Sequence, residues 1–352
     1  MITIPKNRKK PAYRILSVLL FTAAAVAFLC GLLYLFTSGD RRVPRTAGQD
    51  PSLPSVTISG VTYHAETFGD PVNPVIITIH GGPGGDYRSL YPLKNLADEF
   101  YVVFFDQRGT GLSPRVDPNG ISLESAISDL NAIVEKYGRG RPVNLVGHSW
   151  GAMLASAYIG RYPEKVDHLV MAEPGFLTPE EAEKFMAATK IRFSFPLLFH
   201  FIRTRFESFH VKKIDGHEPA DYFTYHMNLY QGKDHPQAGF RAAGITPSAD
   251  HGWRNGSGAS QAFFREAVDE NGKIVIDFRK DAARFTNRIL FMTGEYQTII
   301  GEDWQRKQMD YFPNAEIAVI RRAGHEMFSE NPDDSIAAVR IYLKGDINER
   351  VN

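Results

Sequence analysis

The sequence predicts an α/β fold with a mostly parallel central sheet, an inserted helical cap and one apolar helix ahead of the folded domain. Three observations lead to this prediction. Short apolar, β-branched runs alternate with helical patterns, a long aromatic-rich stretch interrupts that alternation, and an uncharged apolar run lies near the N-terminus. Strands that alternate with helices are typical of a parallel sheet, because each parallel connection must cross the sheet.

The composition is that of a globular chain without a disulfide framework. Hydrophobic residues make up 43% of the 352 residues, which is enough to bury a sizeable core. Basic and acidic residues number 40 each, so the net charge is zero and no summed field favours a nucleic acid partner. The only cysteine, Cys30, cannot form a disulfide within one chain.

The apolar run covers residues 15–36 and contains no charged residue. It is long enough for the roughly 20 residues that span a bilayer, so it predicts a transmembrane helix. The alternative is a cleaved signal peptide, whose apolar region is usually about 7 to 15 residues long and ends in small residues. This run is longer and ends in Leu-Tyr-Leu-Phe, which favours an uncleaved anchor.

Basic residues flank the run unequally and predict its orientation. More of them precede the run than follow it, so the positive-inside bias predicts a cytoplasmic tail at residues 1–14 and a folded domain on the periplasmic or another extracytoplasmic side. They are Lys6, Arg8, Lys9, Lys10 and Arg14 before the run, and Arg41, Arg42 and Arg45 after it. Residues 37–54 are rich in proline, glycine and charge and are interpreted as a linker.

The predicted core has two parts, residues 55–174 and 287–352. The first part opens with a hairpin around Ser59-Gly60, because two β-branched runs flank a turn pair there. Continuous apolar runs of the kind found in buried strands follow. They cover residues 75–80, 101–105, 143–147, 168–173, 289–294 and 316–320, with a last helix over 333–344.

Residues 175–286 break this rhythm, since they contain many aromatic residues and short helical patterns but no apolar strand runs. We interpret them as a helical cap. An insertion after the sixth strand would cover the carboxyl ends of the sheet, where ligands bind in open α/β folds.

The pentapeptide Gly-His-Ser-Trp-Gly at residues 147–151 matches G-x-S-x-G. An apolar strand precedes it and a helical pattern over residues 149–162 follows, which is the context of a nucleophile elbow. Such a turn raises the serine hydroxyl clear of the sheet. The motif therefore predicts Ser149 as a nucleophile and the backbone N–H of Trp150 as an oxyanion donor.

A second glycine-rich segment, His-Gly-Gly-Pro-Gly-Gly, occupies residues 80–85 directly after a strand. The loop at this position supplies the other oxyanion amide in enzymes with the elbow, so Gly82 is the first candidate and Gly81 the alternative. A phosphate-binding loop is not indicated, since neither G-x-G-x-x-G nor a G-K-[ST] ending is present.

His325 follows the last predicted strand and precedes the last helix. It is therefore placed last in the chain order serine, acid, histidine that this type of site uses. An imidazole there can accept the serine proton and later return it to the leaving group, so His325 is the predicted general base.

Together, HGGPGG at residues 80–85, DQRGTGLS at 106–113, GHSWG at 147–151 and Gly-His at 324–325 resemble the proline iminopeptidase family of α/β-hydrolases. The resemblance extends from about residue 55 to 344 and is weakest in the cap. It implies a capped hydrolase that removes N-terminal proline or other residues from small peptides and needs no metal or organic cofactor. It also implies structural roles for Asp106 and Arg108.

The cap departs from the family in its amine-binding carboxylates. Such aminopeptidases bind the free amine of the substrate with cap carboxylates near tryptophan-glutamate pairs, and the sequence lacks such a pair. Glu207, Glu218 and Asp221 are the candidates, with a solvated helical face as the alternative. The expected partner is therefore a small peptide, amide or ester.

The acid of the serine, acid and histidine set also departs from the family pattern. Relatives place an aspartate three residues after the glycine that ends the seventh strand, where this chain has Gln297. We predict that Glu173, after the sixth strand, replaces it, as in certain haloalkane dehalogenases that resemble this architecture. Alternatively, Glu173 binds the cap or a substrate amine, and Glu295, Glu302 or Asp303 reaches the histidine.

The sequence thus predicts a membrane-anchored serine hydrolase that cleaves a small amide or ester, with an aminopeptidase favoured by the resemblance. An esterase or lipase-like hydrolase is one alternative, and Gln297 motivates another, a non-catalytic binding module. Haloalkane or epoxide hydrolysis does not fit, because it needs an aspartate nucleophile where this chain has Ser149.

Overall fold

The computed structural model describes residues 10–230, 232–236, 238–240 and 252–345. The basic residues Lys6, Arg8 and Lys9 of the predicted tail lie outside these ranges. So do residues 241–251 of the cap and the C-terminal residues 346–352.

The centre of the molecule is an eight-stranded sheet with the order β1-β2-β4-β3-β5-β6-β7-β8. Pairings of β1 with β2 and of β2 with β4 are antiparallel, and the other five are parallel. The mostly parallel sheet and the first hairpin are therefore confirmed. The strands are β1 (Ser55–Ile58), β2 (Val61–Phe68), β3 (Val75–Ile79), β4 (Tyr101–Phe105), β5 (Val143–His148), β6 (Val166–Ala172), β7 (Ile289–Gly294) and β8 (Ala315–Ile320).

Helices precede the sheet, cover both of its faces and form the inserted region. The helices α4 to α7 lie within the residues interpreted as a cap. The helices are α1 (Lys10–Phe36), α2 (Leu123–Gly138), α3 (Trp150–Arg161), α4 (Pro179–Ala188), α5 (Phe195–Ser208), α6 (Glu218–Asn228), α7 (Ser257–Glu266), α8 (Glu302–Met309), α9 (Met327–Glu330) and α10 (Pro332–Lys344).

The sheet separates two hydrophobic cores. Ile77 of β3 and Leu145 of β5 belong to the core that contains residues of α2 and α3. Their neighbours Ile76 and Val146 belong to the core on the other face, with residues of α10. Because successive strand residues point to opposite faces, burial on both sides requires the continuous apolar runs that the sequence shows.

The N-terminal helix α1 stands apart from both cores. Its segment Tyr13–Phe36 has a mean hydropathy of 2.5 and is not buried inside the protein. By length and composition this helix can cross a membrane. A signal sequence near the N-terminus has the same properties.

The segment 37–54 is held against the cap and the core. Arg41 forms an ion pair with Glu207 at 3.2 Å and a parallel bridge with Val211. Further along, Thr46 is buried and the N–H of Ala47 donates to the carbonyl of Leu112 at 2.7 Å. The predicted linker therefore fixes the end of α1 to the folded domain.

Candidate active site

Ser149 lies in a strained turn between β5 and α3. Its φ of 54° and ψ of −119° fall outside the regions that non-glycine residues usually adopt. The turn closes tightly, since a Cβ on Gly147 would lie 2.6 Å from the Gly151 carbonyl oxygen and a Cβ on Gly151 would overlap the carbonyl oxygen of Ile79. Both glycines are therefore required by close approach, and Ser149 remains half-buried at the end of the strand.

The predicted oxyanion donors lie on two elements beside this turn. Trp150 is the first residue of α3, so its N–H belongs to the helix-terminal amides that have no intrahelical acceptor. The loop after β3 runs close to the nucleophile, because a Cβ on Gly81 would lie 3.0 Å from the Ser149 Cβ. Gly82 follows directly with a φ of 135°, and a Cβ there would lie 2.5 Å from the Gly84 nitrogen.

Buried polar contacts hold this loop in place. Nδ1 of His80 lies 2.9 Å from the carbonyl of Gly81, and Nε2 accepts from the N–H of Gln107 at 3.0 Å. Burial lowers the pKa of His80, which fits this neutral, accepting ring. Gln107 also accepts from Nε1 of Trp150 at 3.1 Å. Gln107 thus links both sides of the predicted oxyanion site, a role that the DQRG motif alone did not reveal.

Asp106 and Arg108 fix the loop at residues 106–113 to the neighbouring elements. Asp106 is fully buried and accepts from the backbone N–H of Tyr87 at 2.9 Å and of Leu112 at 2.7 Å. Arg108 forms an ion pair with Asp129 on α2. These contacts fit the structural roles that the family resemblance implied.

The structure brings His325 and Glu173 together. Nδ1 of His325 lies 2.6 Å from Oε2 of the fully buried Glu173. Burial by itself lowers the pKa of His325, but the hydrogen bond and negative charge of Glu173 outweigh it, and the net result is a raised pKa. The contact at Nδ1 leaves Nε2 as the nitrogen that can exchange a proton with a substrate or nucleophile.

Strand register explains why Glu173 occupies this position. Ala172 of β6 pairs with Met292 of β7, so residue 173 lies beside the end of β7. Oε1 of Glu173 accepts from the N–H of Gly294 at 2.7 Å and from the hydroxyl of Thr293 at 3.0 Å. The N–H of Ser149 donates to the carbonyl of Ala172 at 2.8 Å, which places the serine turn at the same edge.

Gln297 lies behind the carboxylate of Glu173. Its Nε2 donates to Oε2 of Glu173 at 3.0 Å, and its Oε1 accepts from the N–H of Ile299 at 2.9 Å. An ionised carboxylate at position 297 would face Glu173 across this distance, and two like charges so close are unfavourable. The amide therefore fits a site in which the acid comes from the sixth strand.

The alternative acids lie elsewhere in the described structure. Glu295 is exposed and accepts from the N–H of Arg322 at 2.8 Å. Glu302 is exposed and pairs with Arg306, and Asp303 is exposed on α8. Geometry therefore favours Glu173 over all three.

His325 also contacts two residues that were not predicted as site residues. Nε2 of His148 lies 2.8 Å from the His325 carbonyl, and burial lowers the pKa of His148. The ring of Phe240, in the cap, stacks on the His325 ring with centroids 4.9 Å apart, and the Phe240 carbonyl accepts from the backbone N–H of His325 at 2.6 Å. His148 occupies one of the two variable positions of G-x-S-x-G, and Phe240 lies outside every motif, so neither carried a sequence signal.

Among the described residues, one group of side chains at this site could hold a metal ion. His148, His325 and Glu326 offer ligand atoms within 4.8 Å of one another. The contacts of His148 Nε2 and His325 Nδ1 leave the opposite ring nitrogens for a metal. Metal binding would therefore occupy Nε2 of His325, which a general base needs.

The cap carboxylates predicted as amine-binding candidates all form hydrogen bonds or ion pairs within the protein. Glu207, Glu218 and Asp221 are buried, so the interpretation as a solvated face is wrong. Glu218 accepts from the N–H groups of Asp215 and Gly216. The cationic partners are Arg41 and Arg203 for Glu207, and Arg115 and Arg254 for Asp221. These carboxylates join the cap to the segment 37–54 and to the core.

The family model described as alpha/beta hydrolase fold matches residues 74–332. The sheet order, the strained serine turn and this match agree, and the chain belongs to the α/β-hydrolase fold family.

Individual relatives have different activities. The chain is 24% identical to proline iminopeptidase PfmaB of Pestalotiopsis fici, over 82% of this chain and 98% of that protein. It is 28% identical to epoxide hydrolase 3 of Xenopus tropicalis, over 44% of each chain, so this alignment spans less than half of that relative. A thermophilic esterase from Thermogutta terrifontis has the same fold, with a TM-score of 0.58 and 17% identity over 83% of this chain and 99% of the esterase.

Proposed function

We propose that this protein is a membrane-anchored serine hydrolase that cleaves a small amide or ester through an acyl-enzyme. The observation that carries the proposal is the 2.6 Å contact between His325 Nδ1 and Glu173 Oε2, beside the strained turn of Ser149. A buried acid, a histidine that it orients and a serine at a nucleophile elbow are the components of a catalytic triad.

In the proposed mechanism Glu173 fixes the ring of His325. Nε2 of His325 accepts the hydroxyl proton of Ser149 while Oγ of Ser149 attacks the substrate carbonyl. The N–H groups of Trp150 and of Gly82, or Gly81, stabilise the oxyanion. His325 then gives the proton to the leaving group, and the acyl-enzyme forms. Water then gives a proton to the same nitrogen and attacks the acyl carbonyl. The bond between the acyl carbon and Ser149 Oγ breaks, Nε2 returns the proton to Oγ, and the carboxylic acid product leaves.

Support for an aminopeptidase comes from the glycine-rich motifs and from the nearly full-length likeness to a proline iminopeptidase. An esterase is the second candidate. The observation that favours it is the internal pairing of Glu207, Glu218 and Asp221, because a carboxylate bound by arginine or backbone N–H groups is not free to bind a substrate amine.

A panel of substrates distinguishes the two classes. Purified full-length protein in detergent is assayed with prolyl and alanyl amides and with short acyl esters, beside Ser149→Ala as the control. An aminopeptidase prefers substrates with a free amine over their N-acetylated forms, whereas an esterase hydrolyses acyl esters without that preference. A protein that turns over neither class and does not react with a fluorophosphonate would be a binding module.

The proposed location is a membrane crossed once by residues 15–36, with the N-terminus in the cytoplasm and the catalytic domain on the periplasmic or another extracytoplasmic side. The exposed, apolar surface of α1 and the excess of basic residues before it support this orientation.

A further inference from the structure

The cap helix α5 carries an apolar stripe on its outer side. At about 100° per residue, six of its positions fall within an arc of about 100°. They are Phe195, Leu198, Phe199, Ile202, Phe206 and the capping residue Phe209. The buried side chains Leu197, Thr204 and Ser208 lie on the opposite side. This arrangement inverts the usual pattern of a surface helix, whose apolar side faces the core.

The stripe is well exposed and continues onto the chain before α5. Phe195 is 80% exposed and Phe199 is 65% exposed. Ile191 and Phe193 precede the helix and are exposed as well. We call Ile191, Phe193, Phe195, Leu198, Phe199 and Phe209 the outer apolar face. A contiguous exposed apolar surface on a folded domain marks an interaction site.

Exposed cations lie among and beside the residues of the outer apolar face in the sequence. Aromatic side chains flanked by basic residues are typical of helices that lie in the interface of a bilayer, where the apolar side contacts acyl chains and the cations contact anionic headgroups. The cations are Lys190, Arg192, Arg205, Lys212 and Lys213.

The outer apolar face is continuous with α1. At the end of α1, the ring of Tyr34 lies 4.2 Å from the ring of His210, and Nε2 of His210 contacts the Tyr34 carbonyl at 2.9 Å. Arg41, just beyond α1, pairs with Glu207 near the end of α5. The point where the apolar run of α1 ends is therefore fixed beside the C-terminal end of α5.

We propose that the outer apolar face docks on the bilayer that α1 spans, with the aromatic side chains among the lipid chains and the neighbouring cations at the headgroups. The partner is thus a lipid surface that contains anionic lipid. This inference rests on the proposed membrane anchor and goes beyond it, because one spanning helix alone would not fix how the cap meets the membrane.

The single cysteine provides a direct test. Cys30 is exposed within α1, so a spin label on the wild-type chain reports on the anchor. In a Cys30→Ser background, Phe199→Cys places a label on the outer apolar face and Val72→Cys places one on an exposed site, 72% accessible, in the loop between β2 and β3. The proteins are reconstituted in nanodiscs of phosphatidylcholine and phosphatidylglycerol. Relaxation of the spin label by oxygen, which concentrates in lipid, is compared with its relaxation by a nickel chelate, which stays in water.

We expect oxygen to relax the labels at Cys30 and Phe199→Cys more strongly than the nickel chelate does. The label at Val72→Cys should show the opposite preference. A nickel preference at Phe199→Cys with an oxygen preference at Cys30 would overturn the docking while leaving the anchor. A nickel preference at both positions would overturn the anchor and the docking together. Dipolar broadening at Phe199→Cys would indicate a second copy of the chain instead of lipid. Circular dichroism of each variant reports whether the domain has folded, independently of the membrane and of the proposed catalytic activity.

Discussion

After Ser149 and His325, Glu173 is the residue on which the proposed proton transfer depends most. Glu173→Gln keeps the shape of the side chain but removes the charge that stabilises the imidazolium. We expect kcat to fall by about 10² to 10⁴ with little change in KM, because this interaction strengthens only as His325 gains its proton. Steady-state kinetics on the substrate identified by the panel measure both constants.

Glu295→Gln is the matched control, since Glu295 is exposed and contacts the N–H of Arg322. It should leave kcat unchanged. A Glu173→Gln enzyme with wild-type kcat would remove Glu173 from the triad and direct attention to the loop after Gly294.

The raised pKa of His325 gives a second expectation. Nε2 must be unprotonated to act as a base, so kcat/KM should rise with pH as His325 loses its proton, with a midpoint above the usual value of about 6.5. Glu173→Gln removes the charge that raises the pKa, so the midpoint of the residual activity should move to lower pH. The pH profile of kcat/KM for both proteins measures this shift, and equal midpoints would contradict it.

The sequence predicted where these side chains emerge but not all of their contacts. Ser149 and His325 follow apolar strand runs, and Glu173 ends another, so the parallel sheet places all three at one edge. The contact between Glu173 and Gly294 depends on the register of β6 and β7, and the stacking of Phe240 depends on the path of the cap. Neither follows from local periodicity, since both are set by packing between distant segments.

Among the elements, the turn between β5 and α3 is the least tolerant of change. A Cβ on Gly151 would overlap the carbonyl oxygen of Ile79, so Gly151→Ala must shift α3 or β3. We expect a loss of about 1 to 3 kcal/mol in the free energy of unfolding, the usual cost of overpacking, and a fall in kcat as the turn moves. Urea denaturation of the purified protein measures the loss in stability.

Gly120→Ala is the control, because a Cβ there would meet no atom within 4 Å and its φ is not positive. It should unfold at the wild-type urea concentration. If Gly151→Ala were as stable as Gly120→Ala, the close packing of the turn against β3 would be wrong.

The strands were easier to predict than the cap. Buried parallel strands need continuous β-branched runs, and every predicted strand run is found within one to two residues of its observed bounds. In the cap, α5 has helical periodicity, but the periodicity cannot show which side faces the protein. The apolar side faces outward here because the opposite side carries Leu197, Thr204 and Ser208 into the fold.

At the scale of the whole molecule, α1 should keep the chain in the membrane. We expect the full-length protein to sediment with membranes and to resist extraction by high salt or alkaline carbonate, because the segment Tyr13–Phe36 exposes a long apolar surface to its surroundings. Immunoblotting of the pellet and supernatant measures this. Recovery of a shortened soluble protein from the wild-type gene would show instead that the segment is a cleaved signal peptide.

The proposed mechanism requires Ser149 to be a nucleophile, and mapping a fluorophosphonate adduct by mass spectrometry measures this directly. We expect one adduct, on the peptide that contains Ser149, and parallel loss of hydrolysis. Ser149→Ala should bind no fluorophosphonate and have no activity while unfolding at the wild-type temperature, since the half-buried hydroxyl is not packed in a core. An active Ser149→Ala protein, or an adduct on a different residue, would show that Ser149 is not the nucleophile.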